Sequence, residues 1–219
     1  MKHRSKVDIF FSDEEKGRIK EATVKAESRT IGEIAVMIVD ESSRYREAEV
    51  LGGAVLGSFA ALIVTTLFFH ESLWWYIPLS FLLFFPAWFA FREFKILKMY
   101  CISNRRKEVA VKERALNAFY EKGLYKTRQN TGVLFFLSLL EHKVWVLADK
   151  GINEKMERAA LNRFAEQVAR GIREGCACDS LVEAIGEAGK LLAQHYPIRP
   201  GDINELPDEI ICQSEPDRD

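Results

Sequence analysis

The chain has 219 residues, a formal net charge of -1, 48% hydrophobic residues and 29% charged residues. The near-neutral charge argues against nucleic acid as a partner, because domains that bind nucleic acid carry clustered positive charge. The four cysteines are not spaced as a disulfide framework, and they favour a reducing compartment.

Residues 1–46 are predicted to form the first part of a cytoplasmic α/β domain. Ser12 followed by Glu15 is a capping box, which predicts a helix that ends near Arg29 before Gly32. Residues 33–39 are a short apolar run rich in β-branched side chains, which predicts a buried strand.

Residues 50–92 are predicted to form a transmembrane helical hairpin. Two uncharged runs cover about residues 51–69 and 72–91. Each run is long enough to cross a hydrocarbon core about 30 Å thick. Trp74 and Trp75 lie at the start of the second run, where aromatic rings favour the headgroup layer. The alternative is a pair of buried helices in a soluble protein.

Lysine and arginine flank the two runs and are missing from the short link between them. Because such residues stay on the cytoplasmic side, both termini are predicted to be cytoplasmic, with the hairpin in the cell (inner) membrane. The basic flank continues after the second run, and three of its residues are predicted to attract anionic lipid headgroups. They are Arg105, Arg106 and Lys107.

Gly53, Gly57 and Ala61 form a small-residue face at four-residue spacing in the first run. Such a face lets two membrane helices approach closely. It predicts either a contact with the second run of the same chain or a contact with a second copy or another membrane protein.

Residues 100–197 are predicted to complete the α/β domain. A helix over 104–123 is followed by antiparallel strands over 132–139 and 143–148, and then by two helices. Asn153 is predicted to cap the first of these helices, and residues 198–219 to form an extended tail. The crossover through the hairpin predicts that the first two strands are parallel. The expected fold is a small three-layer α/β/α sandwich with a mixed sheet, interrupted by the hairpin.

The pattern resembles the TPM domain family, in a bacterial membrane-anchored branch. The resemblance rests on residues 12–15, 29–34, 130–135, 144–152 and 199–207. It implies an α/β/α sandwich. Some members of the family are acid phosphatases or bind divalent metal, and others act as auxiliary or assembly proteins, so the resemblance leaves these roles open. In the commoner family plan a single membrane helix follows an uninterrupted domain, whereas here the anchor is inserted within the domain.

The best cluster of oxygen ligands is predicted at one end of the sheet. Asp149 follows the third strand, Glu33 starts the first strand, Asn130 precedes the second, and Asn153 lies nearby. This set would bind calcium or magnesium, which prefer oxygen ligands. The alternative is that Asp149 and Asn153 form local turn and cap hydrogen bonds.

No nucleophile elbow, phosphate-binding glycine loop or zinc-protease motif is present in the sequence. The first hypothesis is therefore a membrane-tethered module that binds, assembles or maintains another membrane protein. The alternative is a divalent-metal-dependent acid phosphatase that uses Glu33 and Asp149. A weaker alternative is a module that binds anionic lipids through the basic flank.

Overall fold

The computed structural model describes residues 6–68, 73–127, 129–198 and 209–213. The chain packs as two units, one formed by residues 1–43 with 108–219 and the other by residues 44–107. They are called the sheet unit and the hairpin unit below. Residues 69–72, which contain the predicted link, and most of the predicted tail lie outside the described residues.

The sheet unit alternates helices and strands. Its helices are α1 (Lys6–Phe10), α2 (Asp13–Glu27), α7 (Lys150–Lys155), α8 (Arg158–Glu174) and α9 (Ala177–His195), and it also contains most of α6 (Asn104–Glu121) and a 3-10 turn (Leu124–Lys126). Its strands are β1 (Glu33–Val39), β2 (Gly132–Ser138), β3 (Lys143–Ala148) and β4 (Ile211–Gln213).

The four strands form one mixed sheet in the order β3-β2-β1-β4. β1 runs parallel to β2 with Glu33 opposite Gly132, and β3 runs antiparallel to β2. Both strand directions were predicted from the sequence, and both are confirmed. β4 was not predicted; it lies parallel to β1 and is formed by three residues of the segment expected to be an extended tail.

Helices cover both faces of this sheet. Ile34, Val36 and Ile38 alternate with Ala35 and Met37, so β1 is buried on both sides. The even-numbered side of β1 packs against α2, α8 and α9 in the larger core cluster. The odd-numbered side packs against α6 and the 3-10 turn in the smaller cluster. We call these the α8 face and the α6 face of the sheet.

Local signals placed some helix ends correctly and one wrongly. The Ser12 capping box is present: Glu15 N donates to Ser12 Oγ (3.2 Å), and Ser12 N donates to Glu15 Oε2 (2.8 Å). The expected cap at Asn153 is wrong, because Asp149 is the N-cap and Asn153 lies inside α7. The carboxylate oxygen of Asp149 accepts from Lys150 N (2.7 Å), so the capping residue lies four residues before the predicted one.

The hairpin unit contains two long helices, α3 (Arg46–Phe68) and α4 (Leu73–Glu93), followed by α5 (Lys95–Cys101) and the first residues of α6. α3 begins before the predicted start of the first run, and α5 was not predicted as a separate helix. By length and composition, α3 and α4 are long and apolar enough to cross a membrane, with mean hydropathy of 2.1 and 1.5.

The apolar side chains of these two helices point largely outward. Only 28% of the most apolar window of α3 and 6% of that of α4 is buried, whereas the core helix of a soluble protein is mostly buried. Val55, Leu67 and Phe81 are each at least 70% exposed. Contiguous exposed apolar surface is, in general, a feature of sites that contact a membrane or a protein partner.

The small-residue face of α3 lies against α4. A Cβ atom added to Gly53 would lie 2.8 Å from Trp88 Cα, and one added to Gly57 would lie 2.9 Å from Phe84 Cα. Ala61, the third residue of this face, is fully buried. Contact within the chain, the first of the two alternatives, is what this structure contains, and self-association through the face stays a prediction.

Candidate functional site

Glu33 and Asp149 lie on the same face of the sheet, one on each side of Gly132. Glu33 is opposite Gly132 in the β1–β2 register, and Asp149 N donates to Gly132 O (2.9 Å). By strand alternation all three belong to the α6 face. Adjacent strands are about 4.8 Å apart, so the two Cα atoms are about 10 Å apart.

Asp149 combines a local role with an oxygen that has no hydrogen-bond partner. Its Oδ1 caps α7, while its Oδ2 is buried and accepts no hydrogen bond from the part of the chain that the structure describes. The carbonyl of Leu124 covers Gly132 between the two carboxylates, since a Cβ on Gly132 would lie 2.5 Å from that oxygen.

The two asparagines of the predicted oxygen cluster have backbone-related roles. Asn153 Nδ2 donates to the carbonyls of Ala148 (2.5 Å) and Asp149 (3.1 Å), so its amide stabilises the end of β3. Asn130 is exposed and has a φ of 54°, the left-handed conformation that asparagine tolerates in turns. Within residues 6–68, 73–127, 129–198 and 209–213, no group of three or more His, Cys, Asp or Glu residues is arranged to hold a metal ion.

A buried polar network lies at the opposite end of the sheet and was not predicted. Glu141 accepts from Ser42 N (3.1 Å) and from the Ser138 hydroxyl, and Ser42 Oγ donates to Ser138 Oγ (2.8 Å). The network joins the loop after β1 to the loop after β2. Ser42 is 96 residues from Ser138 and 99 residues from Glu141 in sequence, so no local pattern pointed to the network.

A groove of about 520 Å³ runs along the outer edge of β3. Its floor is residues 143–146 of β3. Glu108 and Val111 of α6 form one side of the groove, and α8 forms the other side. Because β3 is the last strand of the sheet among the described residues, this groove exposes a strand edge.

The outward side of α8 supplies small and charged residues to this groove. Ala165 and Ala169 lie one helical turn apart beside the strand, and Arg170 and Arg173 are exposed at the rim. On the α6 face, Lys112 Nζ lies 6.0 Å from the centre of the Trp145 ring. The alanines leave room beside the strand, and the cations surround it.

The basic flank is partly neutralised within the hairpin unit. Arg106 pairs with Glu47 (3.0 Å), and Lys107 Nζ donates to the carbonyl of Met99 (2.8 Å). Arg105 is exposed. Nearby, Lys98 and Glu49 form a buried ion pair. Of the three predicted headgroup-binding residues, Arg106 is therefore paired, Lys107 is hydrogen-bonded and Arg105 is exposed, and their binding to lipid stays a prediction.

Cys178 has the environment of an unreactive thiol. It is 3% exposed, and burial raises the pKa of its thiol, although Arg18 has an opposing influence. Arg18 instead pairs with Asp179 (2.5 Å). Because thiolates and not thiols react, we interpret Cys178 as a core residue.

Comparisons with known proteins define the fold but no family. No family model matches the chain, and no curated protein matches it, so the TPM resemblance stays a prediction. The mixed α/β fold is similar to the NMR structure of the BA42 protein from the psychrophilic bacterium Bizionia argentinensis. The TM-score is 0.59 at 20% sequence identity, over 93% of this chain and 96% of that one.

Proposed function

We propose that the chain is a membrane-tethered module that binds, assembles or maintains another membrane protein. In this proposal α3 and α4 cross the cell (inner) membrane as a hairpin, both termini are cytoplasmic, and the hairpin interrupts a three-layer α/β/α sandwich. The observation that supports it best is the outward apolar surface of two adjacent helices that follow β1 and precede β2 in the chain.

Tethering is useful to a binding domain because it confines the domain to the plane in which a membrane partner moves. The resulting rise in effective concentration strengthens binding without any new contact. The groove along β3 gives the sheet unit a concave surface with an unpaired strand edge, which is a common way to bind an extended segment.

Co-purification tests this proposal. The tagged full-length chain, extracted from membranes in a mild detergent, is expected to retain the same membrane protein in every preparation. An unrelated tagged two-helix membrane protein serves as the control for adhesion to apolar surface. Recovery of no reproducible partner, or of the same proteins with the control, would contradict a binding role.

A divalent-metal-dependent acid phosphatase is the second candidate, and the buried Asp149 Oδ2 on the same face as Glu33 supports it. Here the purified full-length chain is expected to hydrolyse a generic phosphomonoester with calcium or magnesium. Asp149→Asn should lower that rate by at least about 100-fold, because it removes a charged metal ligand. Lys150→Ala, at the next and exposed position, is the matched control that should keep the activity. Activity that survives Asp149→Asn would exclude this site.

A further inference from the structure

We propose that the groove along β3 binds an extended, acidic segment of the membrane partner, which adds to the sheet as a further strand. This inference rests on the proposed binding function and specifies its contact surface. Its evidence is the backbone of β3, the room beside it and the charge around it.

The backbone of β3 has hydrogen-bonding groups that face outward. The bond from Asp149 N to Gly132 O makes this a hydrogen-bonded position of the antiparallel pair. Because such positions alternate, the odd-numbered residues of β3 bond to β2, and the N–H and C=O groups of Val144, Val146 and Ala148 point to the outer edge. The Ala148 carbonyl accepts a hydrogen bond from Asn153 Nδ2 and not from β2, as expected for a carbonyl that points to the outer edge.

Val144 and Val146 therefore present two N–H and two C=O groups to the groove. None of these groups has a backbone partner among the described residues. They match the next strand of a sheet, which would form up to four hydrogen bonds with them. The side chains of both valines are buried in the α8-face core, which anchors this edge to the rest of the sheet unit.

The sides of the groove leave space for a strand. A new strand lies about 4.8 Å from its neighbour and needs low side chains next to it. Ala165 and Ala169 provide this on the α8 face. On the α6 face the Trp145 ring offers a flat surface for the side chains of the incoming segment.

The charge around the groove selects the occupant. Each side of the groove carries two cations and one carboxylate. The α6 side has Lys112, Lys143 and Glu108, and the α8 side has Arg170, Arg173 and Glu166. None of these six residues forms an ion pair with another described residue. The net charge of +2 would repel the same groove of a second copy and attract acidic side chains.

A peptide-binding measurement on the full-length chain in detergent tests this inference. The probe is a fluorescein-labelled seven-residue peptide that alternates glutamate with valine, and the comparison peptide has lysine in place of glutamate. The acidic peptide is expected to bind at least about tenfold more tightly, because the groove is positive.

Val146→Pro tests the backbone bonds directly. Proline removes the outward N–H of residue 146 and leaves the bonds to β2, so an edge strand tolerates it. Val146→Ala is the matched control, since it shortens the same side chain and keeps the N–H. Circular dichroism should show both variants folded, with binding weakened at least about tenfold by proline and less than about threefold by alanine.

Charge reversal provides a second test that leaves the core untouched. Arg170→Glu with Arg173→Glu, both at exposed positions, is expected to abolish the preference for the acidic peptide. Equal affinity of the two peptides for the wild-type chain, or unchanged binding in folded Val146→Pro, would overturn strand addition.

Co-purification with the same variants separates this inference from the proposed function. Loss of the membrane partner in Val146→Pro but not in Val146→Ala supports both. A partner retained by both variants leaves the binding function in place and overturns the groove as its contact surface. If the wild-type chain retains no partner, the binding function fails, and the peptide measurement still decides whether the groove binds a strand.

Discussion

A cysteine introduced at Leu73 is expected to react with a membrane-impermeant maleimide added outside intact cells, whereas Cys101 is expected to react only after the cells are permeabilised. Leu73 starts α4 at the end of the hairpin nearer the link, and Cys101 ends α5 beyond the other end of α4. Both positions are exposed, so accessibility within the protein does not decide the result. The lipid bilayer alone should separate them.

Two single-cysteine chains are needed, one carrying Leu73→Cys with the native cysteines replaced, and one retaining only Cys101. We expect nearly complete labelling of the first chain and almost none of the second in intact cells. After permeabilisation the two should label to the same extent. If both label alike in intact cells, or if the chain is found in the soluble fraction without detergent, the hairpin does not cross the membrane.

Gly53→Val is expected to separate α3 from α4. The added Cβ would lie 2.8 Å from Trp88 Cα and 2.9 Å from Trp88 Cβ. No rotamer change relieves a contact with backbone, so the helices must move apart and lose their contacts further along. We expect a loss of about 2–4 kcal/mol in the free energy of unfolding of the hairpin, at the upper end for overpacking.

Ala54→Leu is the matched control, because it also adds three carbon atoms but at the next, exposed position of α3. Its expected effect is within about 0.5 kcal/mol. Unfolding in mixed detergent micelles can be followed by tryptophan fluorescence, since three of the four tryptophans, Trp74, Trp75 and Trp88, lie in α4. If Gly53→Val unfolds like the wild-type chain, the close contact between the helices is absent.

The main elements of the fold could be predicted because each carries a local signal. β1 and β2 are apolar and rich in residues that favour strands, α3 and α4 are long uncharged runs, and the α2 capping box is visible within four residues. The parallel arrangement of β1 and β2 followed from the crossover rule alone.

Other features could not be predicted because they depend on contacts that are distant in sequence. β4 has only three residues, and its place is set by pairing with β1 and by Arg114, whose Nη2 donates to Gln213 Oε1 (2.6 Å). Glu141 lies in the turn between β2 and β3, and its partner Ser42 is 99 residues away in sequence. The groove depends on α6 and α8 lying on opposite sides of β3, which neither helix specifies alone.

The predicted oxygen cluster was also predicted only in part. Its carboxylates, Glu33 and Asp149, were placed at the correct end of the sheet because strand direction fixes which ends meet. Its asparagines were placed less well, because Asn153 binds backbone carbonyls and Asn130 occupies a turn. A sequence pattern gives the position of a residue along an element, but not which hydrogen bonds its side chain will form.

The order of the strands along the chain also has a consequence for biosynthesis. β1 is made early, but both of its neighbours in the sheet, β2 and β4, are translated only after α3 and α4. If those helices enter the translocon as they emerge, insertion must be complete before the sheet can close. Until then the nascent chain exposes a seven-residue apolar strand, the type of segment that aggregates readily. The sheet unit can therefore fold only after the chain has been made well past both long helices.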